Sequence, residues 1–138
     1  MKTIHIFTIL CLFSTLTMST TCDGDVFSNV IIANQSDEPI YVYTLETPSD
    51  EICTIYSYFQ RDKTIHKLGK NETFKDIVDT ERMEEGIDRY QVLILKQSTM
   101  IRYSKEEIIE KRTFDKHYIL TWKDLQSMRF NITYTGKR

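Results

Sequence analysis

Ile6 to Leu16 (IFTILCLFSTL) is an apolar run. A short positive start, Lys2, precedes it, and a small, polar stretch, Thr17 to Thr21, follows. The run is too short to cross a bilayer as a helix, which takes about 20 apolar residues. No later stretch comes close. That order reads as an export signal, which is removed and takes no part in the fold. Taking residues 1–21 from the 138 leaves 117, enough for one domain with one core. The mature chain is then expected to be soluble, or held to a membrane only by lipid.

Cys22 stands where the signal ends and is the expected lipid attachment residue. Two cleavage readings stand side by side. A lipoprotein-type peptidase cuts before a diacylated cysteine and prefers an apolar residue at minus three and Gly, Ala or Ser at minus one. An ordinary signal peptidase takes small residues at both places. Ser19 and Thr21 fit the first imperfectly and the second roughly, and both enzymes would leave Cys22 first. The position of the cysteine directly after the apolar run favours lipidation. Of the two other cysteines, Cys11 lies inside the signal. Cys53 is left alone if Cys22 is acylated, and then reads as a small buried hydrophobe. If Cys22 is free, a Cys22–Cys53 disulfide is the alternative. No local signature pairs Cys53 with His66 or His117 for catalysis.

The formal charge is −2, and −3 once Lys2 is removed. Phosphate backbones need a concentrated basic face, so nucleic acid is excluded as a partner. Four glycines and two prolines leave no flexible low-complexity segment beyond the tether, residues 22–25. There is no internal repeat.

Residues 26–138 read as a single β-rich domain. Val26 to Ala33 is a first strand, and Asn34 to Pro39 is dense in turn formers. Ile40 to Leu45 is a second strand, rich in β-branched and aromatic residues and apolar on both faces. These two read as a hairpin. Thr47-Pro48-Ser49-Asp50 breaks the pattern, and Ile52 to Phe59 reads as a third strand. Thr64 to Leu68 and Glu72 to Ile77 read as a second hairpin around Gly69-Lys70-Asn71. Asp76 to Asp88 carries six carboxylates and reads as a solvated loop. Tyr90 to Lys96 is an interior strand. Ser104 to Glu107 is a capping box that starts a helix over Lys105 to Lys111, buried along Ile108 and Ile109. Lys116 to Leu120 is a further strand. Thr121 to Asp124 is a looser box opening a short helix, with Trp122, Leu125 and Met128 on one face. Phe130 to Tyr134 closes the chain as a strand, with Phe130, Ile132 and Tyr134 inward. The expectation is a mainly β fold, an Ig-like or transthyretin-like sandwich with one or two short helices.

The segment VIIANQSDEPIYVY after a lipid-type cysteine and the tail HYILTWKDLQSMRFNITY resemble small uncharacterised exported lipoproteins of Gram-negative gut bacteria. Tyr118, Leu120, Thr121, Asp124, Leu125, Ile132, Thr133 and Tyr134 follow that group's order. Phe130 stands where the group usually has tryptophan. The likeness covers roughly the first and last 25 mature residues, leaves the middle unassigned, and implies no activity. It implies a bacterial cell envelope, lipid-anchored, with the outer membrane as destination. Asp23 and Asp25 resemble the acidic signal that sends lipoproteins to the outer face. An aspartate right after the cysteine elsewhere marks inner-membrane retention.

No catalytic residue, metal or cofactor is assigned. The chain has no P-loop, dinucleotide fingerprint, zinc-protease helix or nucleophile elbow. The carboxylates Asp76, Asp79, Glu81, Glu84, Glu85 and Asp88 fail calcium-loop spacing, since Met83 and Gly86 stand in the wrong places. His66 and His117 have no second ligand at short spacing. The candidate ligand platform is the aromatic group Tyr41, Tyr43, Tyr56 and Tyr58, with Phe59, which on one sheet face would stack a sugar ring or a peptide. The plainer account of these rings is a filled core. Asn34, Asn71 and Asn131 lie in glycosylation sequons and read as incidental. The expected function is a non-enzymatic binding or accessory module with a protein or glycan ligand. The alternatives are a small envelope hydrolase with a carboxylate or Cys–His site, and an inhibitor or immunity-type protein.

Overall fold

The structure, a computed structural model, describes residues 26–48 and 65–137. In chain order the elements are β1 (Phe27–Asn34), β2 (Ile40–Pro48), β3 (His66–Leu68), β4 (Thr73–Asp79), α1 (Thr80–Glu84), β5 (Asp88–Lys96), α2 (Gln97–Arg102), α3 (Lys105–Lys111), β6 (Lys116–Leu120), α4 (Trp122–Ser127) and β7 (Asn131–Tyr134). They form a mainly β sandwich with short helices. One sheet has the order β4-β1-β7, the other β3-β2-β5-β6. In the first, β1 pairs antiparallel with β4 and parallel with β7.

The strands' alternation builds the layers. Val30 and Ile32 of β1, Val78 of β4, and Ile132 and Tyr134 of β7 face inward from the first sheet. Ile40 and Val42 of β2 meet them from the second sheet, with Tyr90, Val92 and Ile94 of β5. The opposite face of the second sheet is buried too. Tyr43, Leu93 and Leu95 lie beneath Ile108 of α3, with Met100, Tyr103, Ile109 and Phe114 packed around them. The molecule therefore has three layers: the three-stranded sheet, the four-stranded sheet, and a cover formed by α2, α3 and the segment after α3. This explains why Val92 to Leu95 are all buried, as expected for a strand covered on both faces. Among the described residues no helix is long and apolar enough to cross a membrane.

Neither expected hairpin forms. β1 and β2 lie in different sheets, and so do β3 and β4. Each turn carries the chain across the core rather than back along the same sheet. Asn34 holds both crossings. It is wholly buried. Its side-chain amide donates to the carbonyls of Glu38 (3.0 Å), Leu68 (3.2 Å) and Gly69 (3.1 Å). Its Oδ1 accepts from the Ser36 amide (3.0 Å) and hydroxyl (2.6 Å). The Asn34 main chain adds bonds to Glu72 and Asn71, where Asn71 takes a left-handed φ of 63°. This asparagine is a structural pin rather than an incidental turn residue.

The acidic stretch is not a loop. Asp76 to Asp79 complete β4, and Asp79 caps α1 by accepting from the amides of Glu81 and Arg82. Met83 anchors that helix in the core. β2 runs through Thr47-Pro48, where Pro48 sits opposite Asp88 at the strand's end. α2 follows β5 with no capping side chain, so nothing in the sequence marked its start. The Ser104 and Thr121 boxes both form, each with reciprocal bonds to Glu107 and Asp124. Leu125 is fully buried while Met128 is exposed. Phe130 precedes β7 with φ 57°; its ring packs edge-on to Trp122 at 5.3 Å. Ile132 and Tyr134 point inward, Asn131 and Thr133 outward.

Candidate functional site

The sequence-derived platform is only partly described. Cys22, Cys53, Tyr56, Tyr58 and Phe59 lie outside the described residues, as does the whole of the expected strand Ile52 to Phe59. Tyr43 is 4% exposed and packs beneath the helical cover, so its ring is inside the protein. Tyr41 is half-buried at the edge of the same cluster, with the Lys67 ammonium 5.7 Å from its ring centre.

The histidines and carboxylates are spread over separate structural tasks. His66 stacks on Phe74 at 3.8 Å. His117 bonds through Nε2 to Gln91 Oε1 (3.0 Å), and the Gln91 amide donates to Thr47 (2.6 Å). Burial holds the His117 imidazole below its usual pKa. Tyr90 donates to Asp76 (2.8 Å), and its burial, with that carboxylate beside it, pushes the phenol far above its usual value. Arg82 grips Asp88 with two bonds, at 2.6 and 3.0 Å. Among the described residues no three His, Cys, Asp or Glu side chains converge on one point.

Two concave places stand out among the described residues. One, of about 230 Å³, lies where Met83 and Trp122 meet. Its polar wall is largely occupied. Arg89 bonds the carbonyls of Gly86 and Asp88, and Thr121 is spent in the α4 cap.

The other is a groove in the helical cover, between α2 and the segment after α3. It consists of two adjoining cavities of about 230 and 280 Å³ that share Thr99, Tyr103 and Asp115 as walls. Local folding sets its geometry. The Asp115 carboxylate accepts from the Lys96 amide (2.7 Å) and the Thr99 hydroxyl (2.8 Å), locking the start of α2 against the chain leaving α3. Arg112 ends α3 in a left-handed turn, φ 49°, which turns the chain into Thr113 and Phe114. The rim is then cationic: Lys96, Arg102 and Arg112 stand against Asp115. Lys96 also lies 4.0 Å from Glu38. Two rings, Tyr103 and Phe114, form the apolar part of the wall, and the Arg102 guanidinium lies 5.5 Å from the Tyr103 ring centre. Ser98 and Thr99 add hydroxyls. Thr113 Oγ1 is buried without a hydrogen-bond partner at this wall, as is Gln97 Oε1 on the adjacent helix. Unpaired buried polar atoms are uncommon.

The sequence reading missed this groove. Its parts sit in an uncapped helix and in a turn after α3, and none forms a spaced motif. The one available signal was the recurrence of Arg and Tyr or Phe in two short segments, Arg102-Tyr103 and Arg112 to Phe114.

No family model, curated protein or solved structure matches this chain. The groove therefore has to be read from its own chemistry.

Proposed function

We propose that the protein is an exported, lipid-anchored, non-enzymatic binding module of a Gram-negative cell envelope, held at the outer membrane through Cys22. Its ligand, on this reading, is an acidic saccharide seated in the groove of the helical cover. The groove carries the reading. Aromatic walls suit the apolar faces of sugar rings. Hydroxyls and an acceptor carboxylate suit sugar hydroxyls. Three cations at the rim suit a carboxylate or sulfate group, with arginine able to bind it through two parallel bonds. The position supports it too. The tether enters the fold at β1, in the sheet on the far side of the molecule from the helical cover.

The test is binding of neutral and uronic-acid oligosaccharides by calorimetry at low and raised salt. Acidic ligands should bind, and added salt should weaken them. The double variant Arg102→Ala, Arg112→Ala should lose at least about tenfold in affinity, about 1.4 kcal/mol, with an unchanged melting temperature. Equal binding of neutral and acidic oligosaccharides, or an unaffected double variant, refutes the proposed site. Preference for an acidic peptide would move the ligand to another class. Fractionation of Cys22→Ser tests the anchor: the variant should leave the membrane fraction.

A further inference from the structure

Among the described residues no element covers the outer face of the first sheet, and that face is apolar where the tether joins it. Inward-facing Val30 and Ile32 are fully buried, so alternation turns Phe27, Asn29 and Ile31 outward. On β4, Ile77 points the same way. Ile77 pairs with Asn29, and Phe27 and Ile31 lie at the two diagonal positions beside it. The exposures are 59% for Phe27, 61% for Ile77, 38% for Ile31, and 44% for Val26 at the head of the strand. Phe27, Ile31 and Ile77 thus share one open surface. Lone exposed hydrophobics are ordinary, but a contiguous patch marks a contact.

The length of chain ahead of the sheet decides what the contact is. Cys22 precedes Val26 by four residues, which span at most about 14 Å when fully extended. A lipid on Cys22 therefore holds the start of β1 at the bilayer surface. We infer that the outer face of the first sheet rests on the lipid surface, with Phe27 and Ile77 entering the headgroup region and the helical cover turned away. This rests on the lipid anchor proposed above. Interfacial contact of this kind follows from apolar side chains at headgroup depth. The acyl chains of a lipoprotein-type cysteine hold the chain at the membrane, and the protein-borne contact fixes its orientation. Lys75 stands opposite Ile31 on the same face, placed to meet phosphate. The orientation also exposes the groove, because α2 and α3 cover the opposite layer.

Acylated full-length protein in vesicles of phosphatidylethanolamine and phosphatidylglycerol provides the test. A single tryptophan reporter is moved over the surface in a Trp122→Phe background, as Phe27→Trp, Ile77→Trp or Ile101→Trp. Ile101 lies on α2 and is 77% exposed, so it reports the opposite layer. Lipids brominated near the headgroup should quench the first two reporters several-fold and leave the third unchanged. Mass spectrometry of Cys22 accompanies each sample. Acylated protein without quenching at Phe27→Trp and Ile77→Trp, or with quenching at Ile101→Trp instead, overturns the orientation alone. A chain without acyl groups on Cys22 overturns the anchor and the orientation with it. Sedimentation of Cys22→Ser covers the remaining occupant. A dimer abolished by Phe27→Ser with Ile77→Ser, together with absent quenching, would assign the face to a second copy. Circular dichroism confirms folding of every variant.

Discussion

Asn34→Ala should cost about 4 kcal/mol. The wild-type side chain makes five hydrogen bonds from a fully buried position. Two of its acceptors, the carbonyls of Glu38 and Gly69, lie close enough to the surface to be rehydrated. The Ser36 hydroxyl keeps a second partner, the Glu38 carbonyl at 2.9 Å. The Leu68 carbonyl and the Ser36 amide are buried and would be left unpaired. Each such orphan costs about 1–3 kcal/mol. The sum approaches the low end of a small domain's stability, about 5–15 kcal/mol. In urea the midpoint should fall by about 2 M at unchanged slope, taking a slope of about 2 kcal/mol/M. Asn34→Asp keeps the acceptor but buries a charge, and should do no better. Ser36→Ala should cost only about 1 kcal/mol. A midpoint shift below about 0.5 M for Asn34→Ala would show that the two crossings hold without this residue, and the account of the sandwich would fail. The same burial predicts that the folded chain offers no glycan acceptor at Asn34, which mass spectrometry of protein made in a glycosylating host would check.

Ile132 is 2% exposed, so Ile132→Asp puts an unpaired charge in the core and should cost several kcal/mol; a folded variant by circular dichroism would show β7 to be peripheral. Leu125→Ala should cost about 2–5 kcal/mol and Thr121→Ala about 1 kcal/mol by urea unfolding, with saccharide binding unchanged in both. Glu46 is half-buried and its carboxyl is pushed above its ordinary 4.5, first by burial, then by Asp79, Asp88 and Asp76, against a bond from the Asp79 amide. A raised folded value means this group stabilises the fold below about pH 4.5, and that contribution is lost as pH rises through the folded value. Glu46→Gln should therefore melt above wild type at neutral pH, with the gap closing in acid; a variant that melts below wild type at neutral pH would overturn the assignment.

The elements read most reliably from sequence were those whose residues carry a complete local instruction. The Ser104 and Thr121 boxes each fix a helix start through two reciprocal bonds, so three or four residues suffice. The interior position of β5 was legible because apolar residues run without alternation. Helix α1 was hidden because the six carboxylates in and around it look solvated, whereas Asp79 is a cap, Asp88 is a buried partner of Arg82, and Met83 carries the helix into the core. The groove was hidden for a related reason. Its cations and rings lie on two segments brought together by Asp115, a contact that no spacing along the chain encodes.

The missed crossings expose a difference that pattern reading can use. Turn residues mark where a strand ends, and they are the same whether the next strand pairs beside it or crosses to the facing sheet. What differs is the burial of the strands they join. β1 buries one face, at Val30, Ile32 and Asn34, and leaves Phe27, Asn29 and Ile31 of the other exposed. β2 is apolar on both faces, as a strand in a covered layer should be. Two strands with different numbers of buried faces belong to different layers, and a turn between them is a crossing. A crossing has no partner strand to satisfy the main chain at its corner, so a side chain has to do it. An asparagine at the last inward position of β1, able to donate twice and accept twice, meets that need.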